Sequence, residues 1–403
     1  MASPPPSQAK EENAKTAAQI TFTGFASSGG TTFHKVNFSP RTLGPKDVEI
    51  DVWYSGICGS DIHILEEDWY KLPGEVVPGH QITGTIAAAG PEAPFEIGDR
   101  VGASLVIDAC LECDECNAGQ EQHCLKTFVD KDTSKDTSKD TSKESPKLIF
   151  GGFADHVRLC SEFVYKIPDE IHLSEATPLF CAGITAYAAL CKYRAGDDKT
   201  IGVMGIGAMG HLAIQFAKAM GSKEIVAITD SNVNPDDVKK LGATRCIDSF
   251  NKDHIKAEHH KIDLLLVNSF DKSTNWEDVL SLVSNHGCIV MLALPKDPIQ
   301  IPAMYFVFRD LKMVSSFQGG RKEIKDMLAF SAKHNIRPWI VKAPFDKIND
   351  AMELQKQKTA RYCIVLETED SNEKSRNVEA NKSEAKGGNL DAQKPVAEQY
   401  LKD

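Results

Sequence analysis

The chain has 403 residues, of which 41% are hydrophobic and 26% charged, and its formal net charge is −11. This length allows two domains with separate cores, and the acidic balance argues against nucleic acid or an anionic membrane as the main partner. No run approaches the ~20 apolar residues of a membrane span, and the N-terminus has no secretory or organelle-import pattern. We therefore expect a cytoplasmic protein, whose clustered cysteines stay reduced and available as metal ligands.

The first part of the chain, from about residue 16 to 176, predicts a mostly β domain with barrel-like character. Runs such as DVEIDVWYSG, QITGTIAAAG and DRVGASLV are typical of strands. Within it, residues 131–145 repeat a Lys-Asp-Thr-Ser tetrapeptide, which predicts a solvated low-complexity insert in a surface loop. Residues 318–366 contain a helix and two strand patterns, so we expect the chain to return to this domain. Residues 1–16 and 367–403 are too polar to cover a core and predict disorder.

Residues 177–317 predict a second domain built on a parallel sheet. From Thr200 onward, the apolar runs TIGVMG, EIVAIT, KIDLLLVNS, GCIVMLAL and LKMVSSF follow one another, with helical patterns between most of them. Continuous apolar strands of this kind are covered by helices on both faces of the sheet. The fold class is therefore α/β, with a doubly wound sheet beside a β domain.

Four cysteines lie within 15 residues, in the sequence CLECDECNAGQEQHC. They are Cys110, Cys113, Cys116 and Cys124. Four thiolates close a tetrahedral zinc sphere and leave no position for substrate, which predicts a structural metal site. A disulfide pair conflicts with the reducing compartment, and a nucleic-acid-binding finger conflicts with the net charge. The spacing alone leaves an iron–sulfur cluster open.

The sequence GIGAMG predicts a turn that binds the pyrophosphate of a dinucleotide. It follows a strand pattern and opens a helix pattern, and its glycines allow the phosphates to approach the helix N-terminus. Thr229 and Asp230 end the next strand, about 20 residues further on, where a side chain contacts the adenosine ribose. The residues expected to bind the cofactor in the turn are Gly205, Gly207, Ala208, Met209 and Gly210.

Three separate stretches offer ligands for a catalytic metal, which needs three protein ligands and one open position. GICGSDIH contains Cys58, PGHQITG contains His80, and LFCAGITAY contains Cys181. A single cysteine in an apolar sequence is more often a small buried residue than a ligand. The prediction therefore depends on the three stretches occurring together.

Together these stretches resemble the zinc-dependent medium-chain alcohol dehydrogenases, and among them the aldehyde reductases of the cinnamyl alcohol dehydrogenase type. The similarity runs from GICGSDIH through PGHQITG, GDRVG, the four-cysteine segment, GGFADHV, CAGITAY and GIGAMGHLAIQFAKAMG to RYCIVLE, over about residues 20–366. The resemblance implies a GroES-like catalytic domain, a Rossmann NAD(P)-binding domain, and one catalytic and one structural Zn²⁺ per chain. It also implies a small alcohol or aldehyde as substrate and a homodimer as the assembly.

The resemblance also implies roles for individual residues. Cys58, His80 and Cys181 correspond to the catalytic zinc ligands, and the fourth position is left for the substrate oxygen. Asp61 corresponds to a residue that orients His80 through its other ring nitrogen. The overall reaction is the interconversion of primary alcohols and aldehydes by hydride transfer with NAD(P)(H).

Proton transfer in this scheme belongs to Ser60, which would exchange the proton with the substrate oxygen, and to His63, which would relay it to solvent. Thr185 and Arg361 are further residues expected to contact the cofactor. Candidates for lining the substrate pocket are Trp69, Phe128 and Phe306.

Two residues depart from the pattern of that family. Gln81 stands where a glutamate usually follows the zinc-binding histidine, which removes a negative charge from behind the metal. Asp230 stands where members using the phosphorylated cofactor tend to have Ser followed by a basic residue, and a carboxylate there repels a 2′-phosphate. The subfamily thus predicts NADPH and Asp230 predicts NADH. Gln81 also leaves open a catalytically silent NAD(P)-binding relative with a structural or regulatory role.

Overall fold

The computed structural model describes residues 20–69, 71–72, 74–125, 151–196, 198–229, 233–296 and 298–369. The predicted insert at 131–145, the residues before 20 and nearly all of the predicted tail at 367–403 lie outside these ranges. Among the described residues, no helix combines the length and the apolar character that a membrane crossing requires.

The described strands and helices are numbered along the chain. The strands are β1 (Phe22–Ala26), β2 (His34–Phe38), β3 (Asp47–Ile57), β4 (Ile82–Ala89), β5 (Arg100–Ala103), β6 (His156–Cys160), β7 (Val164–Lys166), β8 (Thr200–Met204), β9 (Glu224–Thr229), β10 (Arg245–Asp248), β11 (Ile262–Val267), β12 (Val283–Met291), β13 (Lys312–Ser315), β14 (Ile340–Pro344) and β15 (Cys363–Glu367). The helices are α1 (Gly59–Leu65), α2 (Asp114–Asn117), α3 (Leu173–Ala176), α4 (Ala182–Lys192), α5 (Ala208–Ala219), α6 (Pro235–Leu241), α7 (Lys252–Ala257), α8 (Trp276–Leu282), α9 (Met304–Arg309), α10 (Arg321–Lys333) and α11 (Ile348–Lys356).

The β-rich part of the chain forms a seven-stranded sheet with the β1–β2 ribbon beside it. Strand β3 is central and pairs antiparallel with β4, β6 and β15. Because β14 and β15 belong to this sheet, the end of the chain returns to its first part, as the strand patterns near residues 340–366 predict. Alternating side chains of β1, β3 and β4 fill one core between the sheet and α11.

The second part of the chain forms a six-stranded parallel sheet in the order β10-β9-β8-β11-β12-β13. Numbered from β8, this is the order 3-2-1-4-5-6 of a doubly wound sheet, and its strand order reverses between β8 and β11. Ligands of such sheets bind at that reversal, beyond the carboxyl ends of the strands. The predicted apolar strands are confirmed, but strand β10 was missed because its short run RCID is half polar and mostly half-buried.

A buried histidine of α5 connects this helix to the segment around β14 and β15. His211 is fully buried, and its Nδ1–H donates to the Gly207 carbonyl at 3.0 Å. Its Nε2 accepts the Trp339 backbone N–H at 3.1 Å, and its ring stacks on Tyr362. Burial lowers the pKa of His211 from 6.5 to about 4, because a charged imidazolium would lose its hydration and meet a donor at Nε2.

This histidine predicts an acid-sensitive stability. Between about pH 4 and 6.5 the unfolded chain binds a proton that the folded chain excludes, so stability is lost as the pH falls through this window. A shift of this size corresponds to roughly 3 kcal/mol. We expect His211→Gln, which does not titrate, to flatten the dependence of the free energy of unfolding on pH between 4 and 6.5. Denaturant unfolding of both proteins measures the two slopes, and equal slopes would contradict the assignment.

Candidate active site and metal sites

The first predicted ligand stands where β3 turns into α1. Cys58 is the N-cap of this short helix, and its backbone N–H donates to Asp61 Oδ2 at 2.9 Å. Ser60 follows in the first turn, with its Oγ 3.7 Å from Cys58 Sγ. The buried Asp61 carboxylate therefore fixes the turn that presents both Cys58 and Ser60.

The three predicted catalytic ligands converge, although they are far apart in the chain. Cys58 Sγ and Cys181 Sγ are 3.9 Å apart, and His80 Nε2 lies 3.3 Å from Cys181 Sγ. All three ligand atoms lie within 4.8 Å of one another. His80 Nδ1 lies 3.0 Å from Asp61 Oδ1, so its other nitrogen faces the two sulfurs. A contact between Asp61 and Nδ1, with Nε2 left for a metal, is the arrangement that the predicted role of Asp61 requires.

The electrostatics of the triad favour a cation. Cys181 and then His80 hydrogen-bond to the Cys58 sulfur, which lowers the pKa of Cys58 well below its usual value. The hydrogen bond to Cys58, followed by burial and the charge on Cys58, raises the pKa of Cys181. Burial alone would lower the pKa of His80, but the Asp61 carboxylate and the Cys58 sulfur together raise it well above its usual value. Two thiols and an imidazole are a donor set that suits zinc, and a metal there would displace their protons.

The four cysteines of the CLECDECNAGQEQHC segment also converge, with their sulfurs within 4.8 Å of one another. Cys110 Sγ and Cys116 Sγ are 3.9 Å apart, and the backbone N–H groups of Cys110 and Cys113 point at Cys124 Sγ and Cys110 Sγ. Burial raises the pKa of Cys116 to about 12, so its thiolate needs a cation as partner. No disulfide forms in this segment, since all of its thiols are free. This four-cysteine lobe fits one metal ion and lies outside the Cys58–His80–Cys181 triad.

The predicted relay histidine has partners that the sequence did not reveal. His63 Nδ1 lies 2.8 Å from Asp68 Oδ2, and the other oxygen of Asp68 pairs with Lys296 Nζ at 2.6 Å. Lys296 and then His63 lower the pKa of Asp68. The ring of Trp69 stacks on His63 with centroids 5.0 Å apart. An aspartate from the first part of the chain thus links His63 to a lysine in the loop after β12.

Of the other two candidates for the substrate pocket, Phe306 packs partly buried against the core of the parallel sheet, and Phe128 lies outside the described residues. Gln81, one of the two residues predicted to depart from the family pattern, is buried beside β3. Its backbone carbonyl accepts the Gly56 N–H at 2.9 Å, and a Cβ on Gly56 would lie 2.4 Å from its Oε1. The buried side chain at this position is therefore a neutral amide packed against Gly56.

The glycine-rich turn lies at the reversal point of the parallel sheet. Gly205 follows β8 directly with a φ of +83°, and a Cβ there would lie 2.1 Å from Ser269 Oγ. Gly210 packs on the Gly205 carbonyl, where a Cβ would lie 2.1 Å from the oxygen, whereas Gly207 faces open space. Ala208 and Met209 begin α5. The turn thus leaves the helix N-terminus accessible to a phosphate.

The remaining predicted cofactor residues occupy three places. Thr185 is buried one turn after Cys181, and Thr229 is buried at the end of β9. Arg361 pairs with Asp237 of α6 at 2.5 Å, which joins the end of the chain to the nucleotide-binding part. Asp230 lies outside the described residues.

Comparison with known proteins assigns the class. Residues 44–169 match the alcohol dehydrogenase GroES-like domain, and residues 208–333 match the zinc-binding dehydrogenase domain. The chain is therefore an oxidoreductase of alcohols with a GroES-like part, a Rossmann-like part, zinc and a nicotinamide cofactor.

Individual relatives agree with this class. An NADP-dependent alcohol dehydrogenase C of Mycolicibacterium smegmatis is 33% identical over 86% of this chain and 98% of its own length. Cinnamyl alcohol dehydrogenase 8 of Arabidopsis thaliana is 33% identical over 82% of this chain and 90% of its own length. The solved cinnamyl alcohol dehydrogenase of Sorghum bicolor superposes with a TM-score of 0.77 at 28% identity, covering 86% of this chain and 98% of that structure. The chain belongs to the zinc-binding alcohol dehydrogenase family.

Proposed function

We propose that this enzyme interconverts primary alcohols and aldehydes at a zinc ion held by Cys58, His80 and Cys181. The observation that carries the proposal is the convergence of these three ligand atoms within 4.8 Å. Zinc held by these three residues would supply Lewis-acid polarisation of the substrate oxygen, and a bound nicotinamide would supply hydride chemistry. The glycine-rich turn of residues 205–210, at the N-terminus of α5, supports binding of the dinucleotide cofactor by the same chain.

The protein's own residues prepare the site for that chemistry. Asp61 keeps His80 Nδ1 engaged, so that Nε2 is the nitrogen left for a metal. Ser60 carries a hydroxyl 3.7 Å from Cys58 Sγ, and this proximity to a proposed metal ligand supports its role in exchanging a proton with the substrate oxygen. His63 is partly exposed and held by Asp68, which suits transfer of that proton to water.

The proton relay gives a direct prediction. We expect Ser60→Ala to lower kcat by about a hundredfold or more while KM changes little, since the lost group acts in proton transfer. Ser60→Thr, which keeps a hydroxyl, is the matched control and should retain most activity. His63→Ala should cost less near neutral pH, because water can replace the imidazole. Unchanged turnover of Ser60→Ala across the pH range would remove Ser60 from the mechanism.

A panel of aldehydes, assayed with NADH and NADPH on protein of measured zinc content, tests the function as a whole. Because one relative is a cinnamyl alcohol dehydrogenase, the panel should contain aromatic as well as aliphatic aldehydes. Turnover that depends on zinc is the expected result. If fully metallated protein reduces none of them yet binds NAD(P)(H), the alternative of a catalytically silent relative is correct.

We propose that NADH serves at least as well as NADPH, because a carboxylate at Asp230 would accept hydrogen bonds from ribose hydroxyls and repel a 2′-phosphate. The NADP-dependent relative from Mycolicibacterium smegmatis favours the opposite choice. Asp230→Arg should move the ratio of kcat/KM for the two cofactors towards NADPH, since a guanidinium pairs with phosphate. Asp230→Asn, which removes only the charge, should give a smaller shift. A wild-type enzyme selective for NADPH and indifferent to both changes would contradict this role.

We propose a homodimer that forms through the β13 edge of the parallel sheet. Strand β13 ends the sheet, and α9 beside it, with the sequence MYFVFR, has no buried residue. Val307 and Phe308 are 77% and 79% exposed, and apolar exposure of this extent marks an interaction surface. A second copy would cover both the open edge and the apolar helix. Light scattering should give twice the chain mass, and a monomeric mass at micromolar concentration would contradict the dimer.

The proposed setting is the cytoplasm. Its support is that all eleven cysteines are free thiols, including those that lie close enough to share a metal.

A further inference from the structure

Gln318 contacts the Cys181 sulfur from outside the triad. It lies in the loop between β13 and α10, and it is only 4% exposed. Its Nε2 lies 3.3 Å from Cys181 Sγ, and its Oε1 accepts a hydrogen bond from Ser104 Oγ at 3.2 Å. Its backbone φ of +49° is in the left-handed region, which residues other than glycine seldom adopt. The amide is thus held in one orientation at a backbone position that is itself unusual.

The residues after Gln318 are clamped on both sides. A Cβ on Gly319 would lie 2.7 Å from the Ile184 side chain, so the loop packs directly on α4, the helix that begins after Cys181. A Cβ on Gly320 would lie 1.9 Å from the Gly119 carbonyl oxygen of the four-cysteine lobe. Arg321 donates to the buried Glu121 carboxylate of that lobe from its backbone N–H at 3.1 Å and from Nε at 2.8 Å. Gln318 therefore has little freedom to leave the sulfur.

The orientation of the amide is what a thiolate requires. A deprotonated sulfur can only accept hydrogen bonds, so the NH₂ group and not the carbonyl must face Cys181. In this orientation Oε1 is left to accept the Ser104 hydroxyl. A hydrogen bond to an ionised acceptor is stronger than one between neutral groups, and it withdraws electron density from the sulfur.

We propose that Gln318 is a positioning residue for the Cys181 ligand, whose N–H···S bond fixes the direction of the sulfur and reduces its donation to the metal. This inference rests on the proposed function, in which Cys181 is a zinc ligand. Weaker donation from one thiolate leaves more positive charge on the zinc, which strengthens its pull on the substrate oxygen.

The test uses Gln318→Met, which keeps the length of the side chain but removes the donor, and Gln318→Glu, which turns a carboxylate oxygen towards the sulfur. Ser104→Ala is the graded comparison, because it removes the partner of Oε1 but leaves the N–H donor in place. Zinc affinity is measured by chelator competition, and the thiolate-to-metal absorption band is recorded on cobalt-substituted protein. We expect Gln318→Met to weaken zinc binding at this site about tenfold or more, because losing the fixed direction of the sulfur outweighs the stronger donation of a thiolate without the hydrogen bond. The loss should be larger in Gln318→Glu and smaller in Ser104→Ala.

The cobalt band should move to longer wavelength in Gln318→Met, because a sulfur without the hydrogen bond gives up its electrons more easily. Unchanged affinity and an unchanged band in Gln318→Met would overturn the inference. Retention of the four-cysteine metal reports that a variant is folded, and if Gln318→Met fails to fold, Gln318→Glu against Ser104→Ala makes the same contrast. Cys181→Ser distinguishes a failure of the proposed function from a failure of the role proposed for Gln318. If it loses no metal, the proposed function fails, whereas loss of metal beside an unaffected Gln318→Met refutes only the role of Gln318.

Discussion

Cys58→Ser is expected to abolish turnover while the fold remains intact. A serine hydroxyl does not ionise near neutral pH, so the substitution removes an anionic ligand from a set of three. The two remaining ligand atoms, on His80 and Cys181, would hold zinc weakly and without a defined open position. Because the metal supplies several kcal/mol of transition-state stabilisation, we expect kcat/KM to fall by roughly a thousandfold or more.

The controls for Cys58→Ser are Cys246→Ser and Cys288→Ser, two half-buried cysteines of the parallel sheet that lie outside both proposed metal sites. Both should keep their activity and their metal. Metal analysis should give two zinc ions per wild-type chain and one per Cys58→Ser chain. Full activity of Cys58→Ser, or a single zinc in the wild type, would show that the triad is not the catalytic metal site.

The parallel sheet was predictable because its signal is local. Each buried strand, such as TIGVMG or KIDLLLVNS, is a continuous apolar run, and both faces of the sheet are covered by helices. The spatial order of the strands cannot be predicted from any single apolar run, because it depends on which strands pair. Strand β10 was not predicted because an edge strand with one fully buried residue has little hydrophobic pattern.

The proposed ligands were predictable for a different reason, since Cys58, His80 and Cys181 each stand in a distinctive stretch. Asp68, Lys296 and Gln318 have no such context. Lys296 is 228 positions from its partner Asp68, and Gln318 is 137 positions from Cys181. Polar contacts across such separations depend on how the two parts of the chain pack together, so neither spacing nor periodicity indicates them.

The second large effect is expected at the four-cysteine lobe, where Cys113→Ser should destabilise the protein. The lobe contains only the one-turn helix α2 and a 3₁₀ turn at Glu121–His123, and it has few apolar side chains of its own to bury. A metal bound by the four cysteines would therefore supply most of its folding energy, as in small zinc-binding domains. We expect a loss of about 3 kcal/mol or more, seen as a lower melting temperature, together with loss of one zinc.

The lobe also holds neighbouring structure in place, so the loss should spread. Glu121 binds Arg321 and the Gly119 carbonyl packs on Gly320, which together anchor the loop that carries Gln318. In Cys113→Ser, proteolysis should first cleave within residues 110–124. Its activity should fall only as this region melts on heating, whereas Cys58→Ser should already be inactive in the folded state. Cys160→Ser, a half-buried cysteine outside both metal sites, is the control and should melt like the wild type. If Cys113→Ser keeps two zinc ions and the wild-type melting temperature, the lobe does not bind a structural metal.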